Sequence, residues 1–222
     1  MNFFEKFNII PNDEKIYERA FMHSSYGLKH DIEYTYERLE FLGDSVLNMI
    51  VSEYLYNKYP MYEEGKLTKL RANYVCQAAL VYYSKELELD SEIKISVEDN
   101  YINDNEILSI TADVFESFLG AIFIDQGIEK AREFVAETIF KYIDSEKIFF
   151  FDYKSYMKEY GDAKEVTIDY EMIDEYGAPH DKTFRMAILV DGNKLGEGTG
   201  KSKKEAEQEA AKKAMDWLNI EY

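Results

Sequence analysis

The hydrophobic periodicity of this chain changes near residue 150, and that change limits what the chain can fold into. From about residue 14 to 145, apolar residues recur every three to four positions with few helix breakers. After that point the pattern alternates as in strands, until a final amphipathic stretch at 203–218. The sequence therefore predicts an all-α domain over residues 1–147 and a small α-β-β-β-α domain over 151–222.

The boundaries of these elements can be estimated from the same pattern. The predicted helices of the first domain lie near 14–25, 33–58, 64–88, 105–125 and 128–144. In the second domain we expect a short helix at 152–159, strands at 166–173, 182–190 and 194–200, and the last helix. The connection between the domains is expected to be short, within SEKIFF at 145–150.

Composition restricts the environment and the partners. The 222 residues carry a formal charge of −18, which by itself argues against a polyanionic partner. That charge is uneven, because residues 1–148 hold 15 basic and 28 acidic groups, whereas 149–222 hold 11 and 16.

A single cysteine, Cys76, excludes an internal disulfide and favours a cytoplasmic location. We also expect no signal peptide, no segment of membrane-spanning length and no membrane partner.

Two acidic motifs lie within apolar helical patterns. In YERLEFLGDSVLN the spacing of Glu37, Glu40 and Asp44 returns all three to one helix face, beside a core stripe expected to contain Leu39, Phe41 and Leu47. The second motif places Asp113 and Glu116 three residues apart in TADVFESFLGAIFIDQG. Carboxylates at this density suit Mg²⁺, and paired ions can promote phosphodiester hydrolysis. The alternative is that each acid simply solvates an amphipathic helix, as most acidic residues do.

The motif ERLEFLGDSVL at 37–47 resembles the signature of the ribonuclease III family. Further segments are similar to that family in the same order, namely AFMHSS at 20–25, EEGKLTKLRA at 63–72 and ADVFESFLGAIFID at 112–125. The resemblance implies an active site of Glu37, Glu40, Asp44, Asp113 and Glu116, of which the last four are the metal ligands. It also implies that Glu64 lies across a dimer from the metal cluster.

Three residues near these motifs, Tyr36, His23 and Ser24, are expected to have no catalytic role. Tyr36 stands where the family often has Asn, and it is expected to alter the entry to the helix without touching a metal ligand. His23 and Ser24 match a family segment but are interpreted as structural, because buried polar side chains usually satisfy hydrogen bonds.

The second domain resembles a double-stranded RNA-binding domain. Lys201, Lys203 and Lys204 begin the last helix, where free backbone N–H groups and the helix dipole already favour phosphate. The alternative is that these lysines only solvate the helix. The resemblance further implies that five other residues contact RNA. These are Pro179 and His180 in the loop GAPHDKTF, and Ser155, Lys158 and Glu159 on the first helix of the domain.

The resemblance as a whole implies an endoribonuclease that cleaves double-stranded RNA with Mg²⁺, for which Mn²⁺ is expected to substitute. It implies a homodimer in which each protomer cuts one strand, leaving 5′-phosphate and 3′-hydroxyl ends, in the processing of ribosomal or messenger RNA precursors. The alternative is a non-catalytic double-stranded RNA-binding regulator on the same scaffold, which a complete acid set disfavours. A purely helical acidic interaction protein would predict neither the lysine cluster nor the second domain.

Overall fold

The computed structural model describes residue 4 and residues 7–96, 103–178 and 182–220. The chain divides into two compact units, Met1–Phe150 and Phe151–Tyr222. The first is helical, and the second has the order α-β-β-β-α. This confirms the predicted fold class.

The first unit consists of helices that we number in chain order. These are α1 (Glu14–Ala20), α2 (Ser24–His30), α3 (Glu37–Lys58), α4 (Glu64–Val75), α5 (Gln77–Glu86), α6 (Asp104–Val135) and α7 (Lys141–Asp144). A short 3₁₀ helix, Leu89–Glu92, follows α5, and a π-helical stretch, Ala136–Phe140, joins α6 to α7.

The predicted helix at 14–25 is in fact two helices. The chain leaves the first helix after Ala20, and His23 then caps α2 in an extended conformation, with its Nδ1 accepting a hydrogen bond from the backbone N–H of Ser25. A side chain that accepts from a backbone N–H at the start of a helix satisfies a donor that would otherwise lack a partner. The structural interpretation of His23 agrees with this cap.

The predicted helix at 64–88 is also divided. Cys76 is extended, with ψ 159°, and ends α4 just before α5 begins. Around this break the buried Tyr83 donates its hydroxyl to the carbonyl of Tyr74 at 3.3 Å. No Pro or Gly marks the position, so the sequence carries no breaker signal there.

The long helix α6 forms the centre of the first core. Its Phe115 and Phe118 are fully buried, and the Phe118 ring lies 5.7 Å from that of Phe21 and 5.5 Å from that of Phe134. The two predicted helices at 105–125 and 128–144 are joined across a kink at Gly127, whose φ of 82° suits glycine.

The segment Asp104–Asp144 has the length and composition to cross a membrane, which the sequence did not lead us to expect. However, 61% of its most apolar stretch is buried inside the first unit. Burial of that kind is typical of the core helix of a globular domain.

The second unit packs two helices on a three-stranded antiparallel sheet. Its elements are α8 (Tyr153–Lys164), β1 (Ile168–Tyr176), β2 (Thr183–Val190), β3 (Asn193–Gly200) and α9 (Lys203–Trp217), with strand order β1-β2-β3. The turn between β2 and β3 uses Asp191 and Gly192, both at positive φ, which matches the twist of a tight hairpin. Met157 of α8, Ile188 of β2 and Met215 of α9 are fully buried and form part of its core.

Candidate active site

Helices α3 and α6 touch through two glycines. A Cβ on Gly43 would lie 1.8 Å from the carbonyl oxygen of Glu116, and a Cβ on Gly120 would lie 2.3 Å from that of Leu39. Both contacts are with backbone atoms, which cannot rotate away. The two helices therefore approach as closely as they do only because these positions carry no side chain.

This contact brings the two acidic motifs together. Glu40 and Asp44 lie on α3 on either side of Gly43 in sequence, and Glu116 of α6 contributes the carbonyl that Gly43 faces. Asp113 is one turn before Glu116 on the same helix. Residues separated by about 70 positions in the sequence thus share one small region of the surface.

The pKa values of two of these carboxyl groups indicate that their charges interact. Burial, followed by the charges of Asp113, Glu37 and Asp44, raises the pKa of Glu40 to about 7. Burial and the charges of Asp44, Glu40 and Asp113 raise the pKa of Glu116 to about 8. Each of these shifts favours a neutral carboxyl group, because burial and, to a smaller extent, the neighbouring negative charges both oppose ionisation.

Asp113 belongs to the same group but has a hydrogen-bond donor of its own. Burial raises its pKa, although the hydroxyl of Tyr36 donates to its Oδ2 at 3.1 Å and the nearby His23 acts in the same lowering direction. The expectation that Tyr36 touches no proposed metal ligand is therefore wrong. Tyr36 is buried, and its ring reaches across from the start of α3 to α6.

Asn48 is a second residue that the sequence interpretation missed. Its Nδ2 donates to Oδ1 of Asp44 at 2.6 Å and to the backbone carbonyl of the same residue at 2.9 Å. The four-residue separation on α3 is the one available signal for this pair, since it places the two side chains on one face. For Tyr36 and Asp113 no local signal exists, because they lie 77 residues apart.

The remaining member of the first motif is more peripheral. Glu37 is exposed and accepts a hydrogen bond from the Thr35 hydroxyl just before α3. Its charge still contributes to the raised pKa values of Glu40 and Asp113.

The donor set fits a hard divalent cation. Within the described parts of the chain, no Lys or Arg forms an ion pair with any of the five carboxylates. Across the same residues, no three His, Cys, Asp or Glu side chains are close enough to form a ready-made metal cage. Carboxylates that repel one another are expected to spread apart without a cation, and Mg²⁺ keeps several waters rather than requiring a closed cage.

Two other predicted positions of the first unit, Glu64 and Phe41, are exposed. Glu64 is exposed in the first turn of α4 and accepts a hydrogen bond from Thr68 at 3.0 Å. Phe41, which was expected in the core stripe, is 78% exposed instead, whereas Leu39 and Leu47 are buried.

The lysines of the second unit lie where they were predicted. Lys201, Lys203 and Lys204 are exposed at the start of α9, whose N-cap Ser202 accepts from the backbone N–H of Glu205. The carboxylate of Glu205 in turn accepts from the backbone N–H of Lys201 at 2.7 Å, which fixes the entry to the helix.

Small residues hold α9 against the sheet. A Cβ on Gly196 would meet the carbonyl of Ala210 at 2.4 Å, and one on Gly198 would meet that of Ala206 at 2.2 Å. This close packing fixes where the lysines stand relative to β3.

The positions expected to face RNA on α8 are also described. Lys158 and Glu159 are exposed, while Ser155 donates its hydroxyl to Oδ2 of Asp152 at 2.7 Å and its backbone N–H to Oδ1 of the same residue. Ser155 therefore helps to cap α8 and keeps its oxygen as an acceptor. Pro179 and His180 lie outside the described residues.

Comparison with known proteins agrees with this division of the chain. A family profile described as "Ribonuclease-III-like" matches residues 13–143, and a second, "Double-stranded RNA binding motif", matches residues 153–218. The proteins named Ribonuclease 3 of Lactiplantibacillus plantarum and Streptococcus equi subsp. zooepidemicus are 41% and 42% identical to the chain, each covering 96% of it and 94% of the relative.

A solved structure is similar to the first unit. The nuclease domain of ribonuclease III from Campylobacter jejuni superposes with a TM-score of 0.57 at 33% identity, covering 63% of this chain and 95% of that domain. The description of that structure refers to flexibility in a region involved in dimer formation.

Proposed function

The chain belongs to the ribonuclease III family, and on that premise we propose that it is a Mg²⁺-dependent endoribonuclease that hydrolyses double-stranded RNA. The observation that carries this proposal is the glycine contact between α3 and α6, which brings four carboxylates into one region of the surface, where their charges interact. Crowded acids without an ion-pair partner need a cation, and a phosphodiester substrate brings further oxygen ligands.

The proposed metal ligands are Glu40, Asp44, Asp113 and Glu116. A divalent ion held there would lower the pKa of a water molecule and stabilise the leaving oxygen. The residues of the chain supply the remaining functions: the acids lose their protons as the cation binds, Asn48 fixes Asp44, and Glu37 adds negative charge at the edge of the cluster. Mn²⁺, which also prefers oxygen ligands, is proposed to substitute.

Duplex recognition is proposed for the second unit. Lys201, Lys203 and Lys204 stand at a helix N-terminus, where phosphate is favoured, and they suit the backbone of an A-form duplex. Ser155, Lys158, Glu159, Pro179 and His180 are proposed to complete the RNA-binding surface. The whole chain remains acidic, so we expect a modest affinity that falls with salt.

The finer features of the activity follow from the family and are proposals as well. The products are proposed to be 5′-phosphate and 3′-hydroxyl ends with short 3′ overhangs. A homodimer, with Glu64 of each protomer facing the other metal cluster, would cut both strands. We propose a cytoplasmic location and a role in processing ribosomal and messenger RNA precursors.

The test is a paired assay on Glu116→Gln, which keeps the size of the side chain but removes its charge. With Mg²⁺ and a long synthetic RNA duplex, we expect cleavage by the native protein, loss of cleavage in the variant and unchanged binding in a gel shift. Glu106→Gln, an exposed acid in the first turn of the same helix, is the matched control and should cut normally. Native cleavage rates in Glu116→Gln would exclude the metal role, and binding without cleavage by the native protein would favour the regulator alternative.

A further inference from the structure

Tyr36 makes an unusual link between the two acidic helices. Its hydroxyl donates to Oδ2 of Asp113 at 3.1 Å, and its side chain is only 3% exposed. The residue is held independently of that bond, because its backbone N–H donates to the carbonyl of Met22 at 3.0 Å and its ring centroid lies 5.8 Å from that of His23. The position of the Tyr36 hydroxyl is therefore fixed by contacts that do not involve Asp113.

Asp113 needs such a donor more than an isolated aspartate would. It lies one turn before Glu116 on α6, in the region where α6 contacts the part of α3 that carries Glu40, and carboxylates that ionise so close together repel one another. A carboxylate in this position is pushed away from its neighbours unless something holds it. A hydrogen bond to one carboxylate oxygen fixes the rotamer and leaves the other oxygen available.

The direction of this hydrogen bond follows from the groups themselves. A carboxylate oxygen accepts and the phenolic hydroxyl donates, so the bond occupies one oxygen of Asp113.

We propose that Tyr36 is a positioning residue that holds Oδ2 of Asp113 and so leaves Oδ1 able to bind a divalent cation. This inference rests on the proposed function, because it assumes that the acidic cluster binds a metal. It adds Tyr36, which is not a carboxylate, to the proposed site. The affinity for the metal would then depend on a side chain at the start of α3 as well as on the acids of α6.

The chain contains a close internal control for this proposal. Tyr17 is also buried, at 2% exposure, and donates its hydroxyl to Oδ2 of an aspartate on α6, Asp125, at 3.0 Å. Asp125 lies twelve residues beyond Asp113, roughly 18 Å along the helix, and so outside the acidic cluster. Tyr17→Phe and Tyr36→Phe thus remove the same group from the same kind of bond, but only one bond ends at a proposed ligand.

The experiment measures Mn²⁺ binding to the full-length protein by electron paramagnetic resonance of the free ion. We expect Tyr36→Phe to bind Mn²⁺ about 10- to 100-fold more weakly, the usual effect of removing a group that orients a metal ligand. Tyr17→Phe should bind like the native protein. Duplex binding in EDTA should be unchanged in both, and the cleavage lost by Tyr36→Phe should return as Mn²⁺ is raised.

A second measurement tests whether the effect passes through Asp113. In an Asp113→Asn background, the further change Tyr36→Phe should weaken Mn²⁺ binding by less than threefold, because the two substitutions remove one interaction. An equal effect in both backgrounds would overturn the proposal.

The other outcomes are also decisive. Native affinity in Tyr36→Phe would overturn the inference and leave the proposed function standing, as would equal weakening by the two tyrosine variants. A Tyr36→Phe protein that unfolds where Tyr17→Phe folds would make the hydroxyl a folding contact and overturn it too. Failure of the native protein to bind Mn²⁺ would overturn both the inference and the proposed function.

Discussion

At the scale of single residues, the most informative groups are Glu40 and Glu116. Burial and neighbouring charges raise their pKa values to about 7 and about 8, so without a cation each carboxyl group keeps its proton for part of the time near pH 7. A cation must displace those protons to use the oxygens as ligands. Metal binding and pH are therefore linked at this site.

The linkage predicts how stability depends on pH. The pKa of Glu116 is raised from 4.5 to about 8, so the stability that its protonated form contributes is complete below about pH 4.5 and is lost as the pH rises through about 8. Without metal, the native protein should therefore lose more thermal stability between pH 6 and pH 9 than Glu116→Gln, which cannot ionise there. Calorimetry in EDTA compares the two slopes.

Added Mg²⁺ should reverse this loss. Its stabilisation of the native protein should increase from pH 6 to pH 9 as the competing protons leave, and should be small in Glu116→Gln at both values. A Mg²⁺ effect on the melting temperature that is the same at every pH would contradict the linkage.

A single lysine in the second unit provides a test of duplex binding. Lys204→Ala should weaken binding to RNA duplexes of any sequence and lower the slope of log affinity against log salt by about 1, because one phosphate contact is lost. Lys194→Ala is the control, since Lys194 is paired with Glu197 at the start of β3, the strand that ends beside Lys201. Gel shifts at increasing KCl give the slopes, and equal slopes for the two variants would remove Lys204 from the RNA-binding surface.

At the scale of elements, the position of the site is set by the crossing of α3 and α6. The glycines at that crossing allow contact between the two backbones. Glu40 and Asp44 lie within one turn of Gly43, and Asp113 lies within one turn of Glu116, whose carbonyl Gly43 faces. Any side chain at Gly43 must push the helices apart and separate the two acidic motifs.

Gly43→Ala should consequently destabilise the first unit by about 3 kcal/mol or more, since overpacking against rigid backbone cannot be relieved by a rotamer change. Gly65→Ala is the matched control: it adds the same methyl group to a helical glycine where a Cβ would meet no atom beyond its own helix backbone within 4 Å, and it should be neutral or slightly stabilising. Urea unfolding of both variants measures the difference. A Gly43→Ala protein as stable as Gly65→Ala would show that the helices separate at little cost.

At the scale of the whole molecule, the two proposed functions belong to different units of the chain. The proposed chemistry belongs entirely to Met1–Phe150, and the lysine cluster belongs to Phe151–Tyr222. The connection is attached to the first unit as far as residue 150, because the side chain of Asn73 donates to the carbonyl of Lys147 and accepts from the backbone N–H groups of Phe149 and Phe150.

Removing residues 151–222 should therefore leave Mn²⁺ binding within a few-fold of the native value while greatly lowering duplex affinity. The shortened protein is expected to cut RNA weakly, and best at low salt, where phosphate attraction is least screened. Filter binding at physiological salt tests this directly. Unchanged affinity would show that the second unit does not bind the duplex.

The assembly state is the remaining prediction at this scale. Light scattering at micromolar concentration should give twice the mass of the chain, and Phe41→Ser should shift it towards the monomer, because this exposed aromatic next to the acidic motif is a candidate contact. Val46, on the same helix, is 5% exposed and packs inside the first unit, so it is not a candidate for this contact. A fully active monomer would exclude the dimer.

The sequence by itself determined the two-part fold, its element types and the acidic faces, because periodicity and i, i+3 and i, i+4 spacing are local properties. The predictions from sequence were wrong for the burial of Phe41, for the division of helices at Phe21 and Cys76, and for the absence of a contact between Tyr36 and Asp113. Each of these depends on what packs against the residue, and no window of neighbouring sequence contains that information. Only the tertiary structure decided two contacts: the hydrogen bond between Tyr36 and Asp113, and the close approach of Gly43 to the carbonyl of Glu116. Both depend on the crossing of α3 and α6, which brings together backbones that are distant in the sequence.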